Sequence, residues 1–247
     1  MLSFTTRLAD VNICITANYA ESKYFCKDYL SDGVPDFSIS VHQQDIDYER
    51  FSLHQKHLRD GTTPPDYSDK YLERISIYRK IADGLLDFDT LLVHGSAVAV
   101  DGKCYIFTAK SGTGKSTHTR LWREYFGDRA VMVNDDKPLL KVTDGGVVVY
   151  GTPWNGKHKL GSNISVPLQA VCKLERDSTN HIERMDKKDA WQALFQQAYR
   201  SPLDVKILRS FHILDIITSS VGLYSLGCNM DPSAAEVSYL GMKKLYS

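Results

Sequence analysis

The chain has 247 residues, 43% hydrophobic and 24% charged, an ordinary globular composition that suffices for one large or two small domains. Lysine plus arginine and aspartate plus glutamate number 30 each, so no global positive field draws the chain to nucleic acid or an anionic membrane. No apolar run approaches the roughly 18 residues of a membrane-spanning helix.

The stretch Met1-Leu-Ser-Phe-Thr-Thr-Arg7 lacks the charged-then-apolar order of a signal peptide. Cys14, Cys26, Cys104, Cys172 and Cys228 are odd in number and far apart, and form neither a disulfide framework nor a metal-ligand spacing. Reduced core thiols in a cytoplasmic protein are the expectation.

In chain order, Val11, Ile13 and Ile15 alternate with polar residues and predict a half-buried strand. Tyr19 to Leu30 reads as a helix stopped by Ser31-Asp32-Gly33, and Phe37, Ile39 and Val41 as a second strand. This gives a small α+β segment over 1–60. Gly61-Thr-Thr-Pro-Pro-Asp66 marks a linker over 61–68, and the remainder, 69–247, is expected to form the main domain. That domain opens with an amphipathic helix through Tyr71, Leu72, Ile75, Tyr78, Ile81 and Leu85.

Leu91 to Val100 and Lys103 to Thr108 are β-prone runs separated by Asp101-Gly102, a hairpin signal. A two-residue turn pairs Val100 with Lys103 and, continued in the same register, puts His94 opposite Ala109. Directly after the second run stands Ala109-Lys110-Ser111-Gly112-Thr113-Gly114-Lys115-Ser116-Thr117. This is a phosphate-cradling loop with alanine in the place of its usual first glycine. Its backbone amides suit phosphate oxygens, Lys115 the β- and γ-phosphates, and the Ser116 hydroxyl Mg²⁺. A helix from Thr117 to Phe126 is expected next, with its positive end toward the anion. The strand Ala130 to Val133 then runs into Asn134-Asp135-Asp136. Two carboxylates at a strand end suit a metal ligand and a base that takes an attacking hydroxyl's proton, with the assignment between them open. His94, near the loop, can orient or accept protons there.

Strands are predicted at Leu139–Val142, Val147–Tyr150 and Val166–Leu174. Between them, Gly151-Thr-Pro-Trp-Asn-Gly-Lys-His-Lys159 is a candidate acceptor or phosphate loop through Asn155, Lys157 and Lys159. Asp186 suits the cap of a helix to Gln196, Ser201-Pro-Leu-Asp204 the start of a second, and Asp231-Pro232 the start of a third. Arg200 and Arg209 are the arginines considered for reaching the site.

The block His94-Gly95, Ser111-Gly-Thr-Gly-Lys-Ser116 and Asp135-Asp136 resembles the catalytic domain of HPr kinase/phosphorylase. It also resembles the nucleotide site of ATP-dependent phosphoenolpyruvate carboxykinase, which shares that fold. The Gly-Thr-Pro-Trp loop and Cys228-Asn-Met-Asp-Pro232 look like a subgroup of HPr-kinase-related proteins, some of which accompany machinery that modifies ribosomally made peptides. The resemblance implies an α/β fold with an α+β mixed sheet, a P-loop kinase-like domain behind the small N-terminal segment. It implies ATP and Mg²⁺ as cofactors, with Ser116, Asp135 and Asp136 at the metal and His94 at the γ-phosphate. The expected activity is phosphoryl transfer to a hydroxyl of a protein, a peptide or a small molecule. A carboxykinase-like small-molecule enzyme and a non-catalytic nucleotide-binding partner in peptide modification are the alternatives. The second HPr kinase signature has no recognisable counterpart around 150–165, so HPr itself and phosphorolysis do not carry over.

Overall fold

The computed structural model describes residues 1–110 and 112–243, and the chain divides into two compact units, Met1–Leu85 and Leu86–Ser247. The first unit contains strands β1 (Leu2–Leu8), β2 (Val11–Ala17) and β3 (Phe37–Ser40) and helices α1 (Ala20–Phe25), α2 (Gln43–Arg59) and α3 (Asp69–Leu85). β1 and β2 are antiparallel and β2 and β3 parallel. The predicted strands at 11–15 and 37–41 are present, whereas the predicted helix at 19–30 stops at Phe25. α2 escapes the sequence pattern because only Ile46 and Glu49 are buried along it.

The boundary between units lies beyond the stretch 61–68. The reason is Glu73 on α3, fully buried, whose carboxylate accepts hydrogen bonds from the Asn18 and Tyr19 N–H groups and from the Ser22 hydroxyl, at 2.6, 3.2 and 2.6 Å. A buried carboxylate satisfied at the start of α1 ties α3 to the first unit.

The second unit is a mixed α/β domain. Its strands are β4 (Thr90–Leu92), β5 (Ser96–Val100), β6 (Lys103–Thr108), β7 (Ala130–Asn134), β8 (Leu139–Thr143), β9 (Gly146–Tyr150), β10 (Ser165–Arg176), β11 (His181–Arg184) and β12 (Gly222–Cys228). Its helices are α4 (Lys115–Phe126), α5 (Lys187–Gln197), α6 (Asp204–Ser220) and α7 (Ser233–Lys243). The strands form one sheet in the order β4-β8-β9-β10-β6-β5-β7, with β12 on β10 and β11 on β12.

The Asp101-Gly102 hairpin forms in the predicted register, from Val100↔Lys103 to Ser96↔Phe107. Both turn residues have positive φ, 51° and 74°, the twist a two-residue hairpin needs. On its other side β6 pairs in parallel with β10, so antiparallel and parallel neighbours together frame the strand that feeds the loop. The predicted run Leu91–Val100 is broken into β4 and β5 by Val93-His94-Gly95. α6 begins at Asp204 with Leu203 as its N-cap, so the predicted cap at Ser201 is displaced. Ser201 Oγ accepts the Leu203 N–H at 3.1 Å before the helix starts. Asp186 does cap α5, accepting the Asp189 N–H at 2.8 Å.

Alternation along β6 feeds two cores. Cys104 and Ile106 join a cluster with residues of α5 and α6, and Tyr105 and Phe107 join one with α4 and α7. At the centre of the second lies Trp122, with no exposure, its ring 4.9 to 5.8 Å from those of Tyr105, Phe107, Phe126 and Tyr239. Ser238 Oγ accepts the Trp122 Nε1–H at 2.9 Å and lies 3.2 Å from His118 Nε2. Ser238→Ala leaves that indole N–H unpaired in the core and should cost about 1–3 kcal/mol of stability by urea denaturation.

His118 Nδ1 is buried without a partner among the described residues, and burial holds the imidazole down at about 4. The unfolded chain titrates near the ordinary 6.5 and therefore takes up the proton first as pH falls. The contribution is present in full above pH 6.5 and lost progressively toward pH 4. Urea midpoints measured between pH 7 and pH 4.5 should fall less steeply for His118→Phe than for the wild type.

Candidate active site

β6 ends at Thr108 and α4 begins at Lys115, two residues earlier than predicted. Between them Gly112 and Gly114 hold φ of 80° and 127°, which residues with a Cβ adopt only under strain. Ala109 is buried within the aromatic core, so its methyl group packs where the usual glycine has none. Lys110, Gly112, Thr113 and Gly114 form the turn, with Thr113 N–H donating to Lys110 O at 3.2 Å, and Ser111 lies outside the described residues. Ser116 and Thr117 are half-buried in the first turn of α4.

Lys115 Nζ donates to Ala109 O at 3.3 Å, folding back over its own loop. Arg176, at the end of β10, donates to Gly112 O at 2.6 Å and to Thr113 O at 3.4 Å. The strand beside β6 thus fastens the loop from outside. Of the arginines considered from sequence, neither takes that position: Arg200 lies over the Phe195 ring and Arg209 pairs with Asp89 at 2.9 Å.

β7 delivers the two carboxylates. Asn134, fully buried at its end, organises them. Its Nδ2 donates to Thr152 O and Oγ1 at 3.1 and 3.0 Å, and its Oδ1 accepts the N–H groups of Asp136 and Lys137 at 2.8 and 2.6 Å. One side chain therefore fixes the turn after β7 and the start of the loop at 151. Asp135 is 7% exposed and accepts the Ser96 Oγ–H at 2.7 Å. Asp136 is more open: its Oδ1 lies 3.3 Å from His94 Nε2 and 3.4 Å from Lys137 Nζ.

His94 has left the β5–β6 ladder, which ends at Ser96. Its N–H donates to Gln197 O at 2.8 Å, and its Nδ1 lies 3.1 Å from Gln197 Oε1. Burial, and then the Lys137 and Lys115 ammoniums, push the imidazole down to about 4 against the pull of Asp136, so it is neutral at pH 7. Lys115 is itself held below the ordinary lysine range, by burial first, with Asp136 and Asp135 opposing. These shifts mark His94, Lys115, Lys137, Asp135 and Asp136 as one electrostatic cluster.

The loop after β9 closes against this cluster through its backbone. Gly156, with φ of 72°, packs on Asp136, where an added Cβ would stand 3.3 Å from the Asp136 Cβ. Asn155 is half-buried, while Lys157 and Lys159 are exposed. The lysine that touches Asp136 is Lys137, which follows it directly in the chain.

Among the described residues no group of three or more His, Cys, Asp or Glu side chains could hold a metal alone. The oxygen donors present, the Ser116 hydroxyl and the Asp135 and Asp136 carboxylates, are hard. They are of the number with which Mg²⁺ is usually held jointly with phosphates. Mg²⁺ brought by a nucleotide fits this donor set.

Sequence reasoning missed Asn134, Ser96, Arg176 and Gln197. Asn134 alone carried a local signal, an amide at the end of an apolar strand. Gln197 meets His94 across 103 residues of chain.

No protein-family model matches the chain, and no curated protein matches it. Among solved structures it is similar to the HPr(Ser) kinase/phosphatase from Coxiella burnetii, at 12% identity and a TM-score of 0.33, over 62% of this chain and 98% of that one. No helix among the described residues is long and apolar enough to cross a membrane.

Replacing Asn134 by leucine removes the acceptor for two backbone N–H groups and the donor to Thr152. The expected loss is about 2–4 kcal/mol of unfolding free energy, measured by urea denaturation.

Proposed function

We propose that this chain is an ATP- and Mg²⁺-dependent kinase of the HPr-kinase-like P-loop type. It transfers the γ-phosphate to a hydroxyl: serine in a protein or peptide, or that of a small molecule. The observation that carries the proposal is the meeting of Asp136, neutral His94, Lys137 and Lys115 beside the glycine loop. A phosphate loop alone binds. A carboxylate held open between an imidazole and ammonium groups can also move a proton and stabilise transferring charge.

In this reading the loop amides and Lys115 hold the β- and γ-phosphates. Asp135, buried and oriented by Ser96, and Ser116 would hold Mg²⁺, which would supply charge neutralisation to the phosphates. Asp136, the more accessible carboxylate, takes the proton of the acceptor hydroxyl. The acceptor oxygen then bonds to the γ-phosphorus as the bond from that phosphorus to the bridging oxygen breaks, and ADP leaves. Lys137 and Lys115 offset the charge that develops on the phosphoryl oxygens. His94 stays neutral and lines the path of the incoming hydroxyl.

ATP turnover should require Mg²⁺ and stop on chelation. Asp136→Asn should lower kcat by about 10²–10³-fold with the affinity for ATP changed little, and Lys115→Ala should weaken both. Binding of Mg-ATP without any turnover by the wild type would make the chain a nucleotide-binding partner instead of a kinase.

A further inference from the structure

A polar cleft of about 760 Å³ opens on the α5 face of the second unit, toward the C-terminal ends of the parallel strands β6, β10 and β12. Crevices at that end of a sheet are the usual ligand positions in open α/β folds. Its floor includes Thr108, Lys173 and Ser225, and one wall is the face of α5 with Gln192, Ala193, Gln196 and Gln197. At one end it reaches Ala109 and Lys110 of the phosphate loop.

Two observations decide what it can hold. First, the cleft adjoins the cluster around Asp136. The wall residue Gln197 contacts His94 through both its carbonyl and its side chain, and His94 Nε2 lies 3.3 Å from Asp136. Second, its lining has no aromatic ring, and its only apolar side chains among the described residues are Ala109, Met185 and Ala193. Small-molecule pockets are usually apolar and aromatic, so this one is poorly suited to stack a nucleobase and well suited to hydrogen bonds. Gln192 and Gln196, four residues apart on one helix face, are exposed, with their amides open to a partner.

We infer that this cleft is the acceptor site of the kinase, and that its occupant is a polar hydroxyl compound held by hydrogen bonds to Gln192 and Gln196. A serine-bearing peptide segment and a small polyol share that chemistry. The assignment rests on the kinase reading and adds to it where the second substrate sits.

The test uses the full chain, a fluorescent ATP analogue with Mg²⁺, and radiolabelled γ-phosphate. Transfer is measured to two probe sets, serine-centred peptides varied at the flanking positions and a panel of sugars and polyols. One set is expected to be labelled, and which one it is identifies the source of the acceptor. Ala193→Trp, which fills the cleft, should raise KM for the labelled probe at least tenfold, with the affinity for the ATP analogue within twofold of wild type. Gln192→Leu, at an exposed position that does not threaten folding, should raise the same KM several-fold. A tenfold loss of ATP-analogue affinity in Ala193→Trp would show that the cleft holds the nucleoside. Unchanged transfer in both variants, or labelling of neither probe set by an enzyme that turns over ATP, would also overturn the assignment. Absence of ATP turnover in the wild type sinks the kinase reading itself and is read separately.

Discussion

The side chain of Asn134 is the constraint on which the second unit's chemistry rests. Fully buried at the end of β7, it has four hydrogen-bond capacities and uses them on Thr152 and on the backbone of Asp136 and Lys137. An amide buried without partners would cost more than most single contacts return, so the turn can take only the shape that satisfies it. That shape sends Asp135 inward to the Ser96 hydroxyl and leaves Asp136 open beside His94. Two adjacent, chemically identical carboxylates acquire different surroundings from one neighbour.

The charges around Asp136 follow from the same packing. Two ammonium groups and two carboxylates share a partly buried space, and neither sign is left uncompensated. His94 is held neutral by its burial first and by the two lysines second. The cluster therefore offers a neutral ring and cationic arms, an arrangement suited to an incoming anion. Arg176 adds a fastening from β10 at the back of the glycine turn, on carbonyls and not on amides.

Much of this was written locally in the sequence. The hairpin and its register follow from Asp101-Gly102, because a two-residue turn leaves the pairing no freedom. The glycine turn between β6 and α4 and the place of the two aspartates after β7 follow from the local sequence. What escaped was of two kinds. Elements with few or weak apolar positions, such as α2 and the glycine-bearing β12, present no period to read. Partners set by long-range closure, Gln197 for His94 and Arg176 for the loop, carry no signal in their own neighbourhoods. The same limit explains why Lys157 and Lys159 were singled out while Lys137 was not: a lysine in a glycine-rich loop looks available, and one before a proline looks like punctuation.

The parallel pairing of β6 with β10 also fixes an order of events in folding. Cys104 must wait for Leu168, and His94 for Gln197, before either has its native neighbour. Local pieces, the hairpin and α4, can form early, but closing such long loops is slow and entropically costly. A chain still emerging from the ribosome at Phe126 already contains the whole phosphate-loop motif. It lacks the strand that holds the loop, the carboxylates that face it and the helix that positions the histidine. The motif is thus made well before its surroundings exist, and the nascent chain passes through a long interval in which it carries the glycine loop without the side chains that meet beside it in the folded unit.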